Sequence, residues 1–168
     1  SNLGLHKFCE ENHLKLLCAA VGDRNVLELM QKESMVLGGE QSGHIIFLEH
    51  MTTGDGQLAA LQFLSILGQS GKKASELAGQ ITHYPQLLQN VKVGSNEEKT
   101  AILNSAELAA IVAREEEKLA GHGRILLRAS GTEPLIRVMA EADTQDLAEL
   151  VVKTLVQAVE NIQKILNK

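Results

Sequence analysis

The stretch Arg124–Met139, RILLRASGTEPLIRVM, decides how the second half of the chain folds. Two apolar runs, RILLRA and LIRVMAEA, flank a small polar loop and read as two strands of a hairpin. Arg128 stands just before the loop and Arg137 just after it. Ser130 and Thr132 bring hydroxyl donors, and Gly131 allows a bend that exposes amide N–H groups. Pro134 stiffens the turn. A phosphate group suits this set, because planar guanidinium groups pair its oxygens two at a time. The composition equally suits a hairpin whose arginines make surface ion pairs with Glu133 or Glu141. The GxxxxGK[ST] spacing of a nucleotide-binding loop is absent.

Outward from the hairpin, TQDLAELVVKTLVQAVENIQKIL is a long amphipathic helix capped by Asp143 or Thr144, and NSAELAAIVAREEEKLA is an acidic amphipathic helix capped by Asn104 or Ser105. QLLQNVKV is strand-like and GSNEEK reads as a polar link. Residues 89–168 therefore spell strand, helix, strand, strand, helix, a small α+β unit. Residues 1–88 alternate differently. LGLHKFCEENH has helical spacing, LKLLCAAV reads as a buried strand, and Asp23 after Gly22 caps the helix RNVLELMQKE. MVLGG and HIIFLEH are short strands, TTGDG is a turn and cap, and GQLAALQFLSILGQS and KASELAGQ are helices. Strands alternating with helices point to an α/β layer. The boundary is expected between Leu88 and Ser95.

The second polar constellation is GGEQSGHIIF, Gly38–Phe47. Paired glycines let a ligand approach backbone. Glu40 offers two carboxylate oxygens to hydroxyl donors, Ser42 can donate and accept, and His44 can exchange a proton near neutral pH. A solvated turn beside a strand-edge histidine has the same composition. Asp23 reads first as a cap and Arg24 as a first-turn cation that can face a cleft. His6, His13, His50, His83 and His122 have no metal-ligand spacing, and TTGDG supplies a single carboxylate, too few for magnesium.

Composition bounds the function. A 44% hydrophobic fraction supports a packed core. Aromatics at 2% leave no stacking platform for single-stranded nucleic acid, and a net charge of −5 disfavours a nucleic-acid surface. No apolar run reaches membrane-spanning length. Cys9 and Cys18 have no CxxC spacing and read as reduced, mostly buried thiols of a cytoplasmic protein.

Taken together and in order, VGDRNVLE, LGGEQSGHIIF, TTGDGQLAALQ, YPQLLQNVKV and GRILLRASGTEPLIRVMAEA resemble the α-D-phosphohexomutase superfamily. Gln41 resembles its bacterial branch acting on glucosamine phosphates. The resemblance implies a four-domain enzyme interconverting glucosamine 6-phosphate and glucosamine 1-phosphate. The reaction would run through a phosphoserine and a bisphosphorylated intermediate, with Mg2+ on an acidic loop. Neither the serine loop nor the DGDGDR-like loop occurs in this sequence. The expectation is an N-terminally trimmed α/β third domain, residues 1–88, and a complete α+β fourth domain, residues 89–168, with no turnover of its own. The resemblance implies that Arg128, Ser130, Gly131, Thr132 and Arg137 hold the non-transferred phosphate. It implies that Glu40, Ser42 and Gly43 hold sugar hydroxyls, that His44 acts in proton transfer or positioning, and that Arg24 lines the cleft. Asn25 departs from the tyrosine usual after GDR. A free-standing phosphosugar-binding module and another phosphohexomutase are the alternatives. Oligomeric state is left open.

Overall fold

The computed structural model describes residues 1–167. They form two compact units: Leu3–Thr82 with Ser1, and the chain from His83 onward with Asn2. The boundary expected after Leu88 therefore moves to Thr82/His83. The reason is a ladder: Gln86–Lys92 pairs along its full length with Leu135–Ala142 and so belongs to the second unit.

The first unit runs α1 (Leu3–Glu11), α2 (Asp23–Glu33), β1 (Leu37–Gly39), β2 (Ile45–Phe47), α3 (Gly56–Ser70) and α4 (Ala74–Ala78). β1 and β2 are an antiparallel pair with Gly38 opposite Ile46. Helix α2 lies close on β1: a Cβ at Gly38 would come 2.2 Å from Met30 Sδ. Met30 and Ile46 are buried there, and little else in this unit is. Helix α3 starts at Asp55, whose carboxylate accepts from the amides of Gln57 and Leu58, as the TTGDG turn suggested. It buries none of its residues, and Leu61, Phe63, Leu64 and Ile66 are exposed.

Two expectations fail in this unit. The run LKLLCAAV forms no strand, and Leu14, Leu17 and Val21 are exposed. An apolar run becomes a buried strand only where a neighbour supplies ladder partners. The ladder described in this unit, β1 with β2, does not include it. Asp23 does not cap α2. The cap position is Gly22, with φ 122°, and the Asp23 carboxylate accepts only from the adjacent amide of Arg24. Neither cysteine is in a disulfide; Cys9 is buried, but Cys18 is exposed because it sits in that unpaired run.

The second unit runs β3 (Gln86–Lys92), α5 (Asn96–Leu103), α6 (Ala106–Leu119), β4 (Gly123–Ala129), β5 (Leu135–Ala142) and α7 (Gln145–Leu166). Its sheet has the order β3-β5-β4, antiparallel throughout. Alternation on the central strand sends Ile136, Val138, Ala140 and Ala142 to one face, where they are fully buried. α7 covers that face with Ala148, Val151, Val152, Leu155, Val159 and Ile162, a stripe at helical spacing. Ser105 and Thr144 are the caps of α6 and α7.

GSNEEK is not a link but the start of a helix, α5. Ser95 Oγ accepts from the Glu98 amide, and the Glu98 carboxylate returns to the Gly94 amide. This is a capping box shifted by one residue. Ile102 then anchors α5 in the core. The chain is thus an α/β unit followed by an α+β unit with one more helix than expected. Among the described residues no helix is long and apolar enough to cross a membrane.

Candidate functional site

The register of the second unit's sheet sets Arg128 directly opposite Arg137, and Asn90 opposite Arg137 on its other side. The row Asn90–Arg137–Arg128 therefore crosses the sheet face opposite α7. Both arginines are exposed, and among the described residues neither has a hydrogen-bond or ion-pair partner. The acids that could have served them are otherwise placed. Glu141 is buried against Arg124 Nε at 2.7 Å, and among the described residues the Glu133 side chain makes no ion pair. Among the described residues neither Arg128 nor Arg137 therefore makes the ion pair with Glu133 or Glu141 that the composition allowed, and the hairpin's own ion pair is Arg124 with Glu141. Like charges directly across a ladder repel, at a cost of about 0.2–1 kcal/mol. A dianion bridging the two guanidinium groups would reverse that sign.

The loop between the strands is built to leave donors free. Ser130 N–H donates to Leu135 O at 3.0 Å, and Glu133 N–H donates to Ser130 Oγ at 3.3 Å. Ser130 is buried, and its hydroxyl shapes the turn. Among the described residues the amides of Gly131 and Thr132 and the Thr132 hydroxyl have no acceptor. Gly131 does not adopt a positive φ, and a Cβ there would meet nothing within 4 Å. The fold itself does not demand a glycine at this point; the space above it is open.

A residue missing from the sequence reading holds this loop from below. Lys99, on α5, is buried and donates Nζ to Ser130 O at 2.6 Å and to Glu133 O at 3.1 Å. The signal that could have found it was Ser95-x-x-Glu98, which announces a helix and places Lys99 in its first turn.

In the first unit the β1–β2 turn is closed by Glu40 N–H to His44 O and by Gly43 N–H to Glu40 O, each 3.0 Å. Gly43 has φ 95°, a conformation costly for a side chain. Glu40 was expected to keep both oxygens free, but Oε1 accepts from the Gly22 amide at 3.0 Å. That bond draws the turn against the start of α2, and among the described residues the other oxygen has no partner. Ser42 Oγ lies 3.2 Å from His44 Nδ1. Gly54 sits beneath the imidazole: a Cβ there would come 3.2 Å from His44 Cβ and 3.3 Å from Cδ2. Glu40, Ser42, Gly43 and His44 therefore share one turn, with Gly22 and Gly54 as supports that the sequence reading had not singled out. Arg24 is engaged on its own helix, Nε to Glu28 at 2.9 Å, both exposed. This is a weak surface pair.

Magnesium, implied for the longer enzyme, does not fit these residues. Among the described residues no three His, Cys, Asp or Glu side chains gather to hold a metal ion.

Comparison with known proteins follows the two units. Residues 1–84 match phosphoglucomutase/phosphomannomutase, alpha/beta/alpha domain III, and residues 88–158 match the C-terminal domain of the same proteins. The chain is 50% identical over 160 residues to a phosphoglucosamine mutase of Ligilactobacillus salivarius, covering 95% of this chain and 35% of that protein. It is 55% identical over 147 residues to one from Limosilactobacillus fermentum, covering 88% and 32%. The fold is also that of N-acetylphosphoglucosamine mutase from Aspergillus fumigatus, with a TM-score of 0.79 at 20% identity over 97% of this chain and 37% of that one. The chain spans about a third of the length of these relatives.

Proposed function

The chain belongs to the phosphoglucomutase/phosphomannomutase family, and on that premise we propose that it is the substrate-recognition part of a phosphoglucosamine mutase. The observation that carries this reading is the unpaired Arg128 opposite the unpaired Arg137, beside the free amides of Gly131 and Thr132. Two exposed cations held face to face without an acid suit a dianionic phosphate. The division into an α/β domain at 1–88 and a phosphate-binding domain at 89–168 belongs to the proposal, with the boundary moved to His83.

The substrate is a glucosamine phosphate and its bisphosphorylated form. Arg128 and Arg137 neutralise the phosphate that is not being transferred, while the Gly131 and Thr132 amides and the Ser130 and Thr132 hydroxyls fix its oxygens. The free oxygen of Glu40 and the hydroxyl of Ser42 take sugar hydroxyls. When Ser42 donates to His44 Nδ1, the neutral ring carries its proton on Nε2 and can donate to a substrate oxygen. Arg24 would have to leave Glu28 to reach a ligand, a small cost for an exposed pair. Magnesium would supply charge neutralisation in the longer enzyme; its ligands lie outside these residues, as does the phosphoryl-carrying serine. The chain alone therefore turns over no substrate. A cytoplasmic setting is part of the same reading.

The test is thermal unfolding of the 168-residue chain with millimolar inorganic phosphate. A ligand at 100 times its Kd adds about 2.7 kcal/mol, so phosphate should raise the Tm of the second unit. In Arg128→Ala that rise should vanish, while the Tm without phosphate stays level or increases. An Arg128→Ala protein that is less stable and still responds to phosphate would overturn the reading.

A further inference from the structure

We propose that Lys99 is the third cation of the phosphate site, a positioning residue that acts from beneath the loop. The inference rests on the phosphate reading of Arg128, Arg137 and the loop. Lys99 is buried and its Nζ is bonded to two backbone carbonyls, Ser130 O at 2.6 Å and Glu133 O at 3.1 Å. Among the described residues it makes no ion pair. Burying an ammonium without a counter-charge is costly, and an apolar side chain of similar length would fill the space at less cost. The acid one position before it does not compensate, since the Glu98 carboxylate is taken by the Gly94 amide and by Asn167 Nδ2.

Two consequences for an anion follow from that geometry. The peptide group is planar and trans, so its C=O and N–H point in opposite directions. Lys99 draws the Ser130 carbonyl inward, and this turns the Gly131 N–H outward, to the side where no protein acceptor waits. At the other end of the loop the Glu133 carbonyl is held by the same Nζ, and Pro134 follows it with no N–H to offer. One ammonium thus fixes both ends of the turn around Gly131 and Thr132. Its charge also stays uncompensated until an anion arrives. The bound phosphate then faces Arg128 and Arg137 on the surface and a positive charge below the loop, in a medium that screens it less than water does.

The experiment is a phosphate titration of the 168-residue chain followed by NMR, for wild type, Lys99→Met, Lys99→Arg and Arg128→Ala. In wild type the Gly131 and Thr132 amides should move saturably. In Lys99→Met, of similar length and neutral, phosphate should bind at least ten-fold more weakly, and the Ser130 carbonyl carbon should shift before any phosphate is added. Lys99→Arg, which keeps the charge, should recover part of the affinity. Core amides such as Val138 and Val159 report whether each variant is folded. The Lys99 ammonium resonance of the wild-type protein supplies a reading that needs no variant: it should move with the same saturation constant as Gly131. Wild-type affinity in folded Lys99→Met, or an ammonium resonance that stays still while Gly131 saturates, overturns the role of Lys99 and leaves the phosphate loop standing. Absence of saturable shifts in wild type overturns the phosphate reading itself.

Discussion

Gly131 offers a sharp test at the scale of one residue, because the fold and the proposed ligand want different things from it. Its φ is not positive and nothing occupies the place of a Cβ. Gly131→Ala should therefore change stability by no more than about 0.5 kcal/mol, in either direction. Phosphate affinity should fall, since the added methyl group stands where an oxygen would meet the amide. Equal phosphate affinity in the alanine variant, measured by titration, would show that the ligand does not approach there. Gly54 behaves in the opposite sense. His44 packs against the place a Cβ would take, so Gly54→Ala should displace the imidazole and lengthen its contact with Ser42. Histidine ring shifts would show this as a changed tautomer balance at His44. Of these residues, Arg128, Gly131, Arg137 and Glu40 could be read from residue type and spacing. Gly22 and Gly54 could not, because they act only through the folded β1–β2 turn, and Lys99 could be reached only by way of the Ser95-x-x-Glu98 helix start.

At the scale of elements, α5 illustrates why a readable signal was passed over. Its first residues are polar and charged, and composition alone gives such a run to a loop. The decisive information is positional: Ser95 Oγ accepts from the Glu98 amide, and the Glu98 carboxylate accepts from the Gly94 amide. Ser95→Ala should cost about 1 kcal/mol of helix stability. It should also loosen Lys99, so amide exchange at Gly131 should quicken together with that of α5. The same helix start carries a pH dependence. The Glu97 carboxyl is held below its ordinary value, first by its own backbone amide and then by the Ser95 hydroxyl. A depressed carboxylate stabilises above its unfolded pKa, and that contribution disappears as pH falls through the lower folded value. Exchange at the α5 N-terminus should therefore rise below the usual glutamate range, and more weakly so in Glu97→Gln. β1 and α2 make a complementary case. Both elements were legible, but the packing of Met30 and Val26 into the place of a Gly38 Cβ was not. LKLLCAAV misled for a physical reason: an apolar run records a demand for a neighbour, not the neighbour's presence.

The whole molecule is unevenly built, and this too is testable. The buried cluster from Val91 to Ile162 lies entirely in the second unit. The first unit buries little beyond Cys9, Met30 and Ile46. Two steps are therefore expected in urea, the first unit unfolding well before the second, with hydrogen exchange faster at Leu37–Gly39 than at Ile136–Ala140. A single transition with uniform exchange would show that the first unit draws stability from contacts outside its own core. The exposed residues of α3 carry a further consequence, for solution behaviour. Leu61, Phe63, Leu64 and Ile66 present water with apolar side chains on several sides of the helix, and nothing in their unit covers them. Phosphate is an excluded, water-structuring anion as well as the proposed ligand of the loop, and such anions strengthen apolar association. It should accordingly act twice on one sample. At low concentration it saturates a site, and at high concentration it salts the protein out through α3, where chloride at matched ionic strength would leave the solution clear.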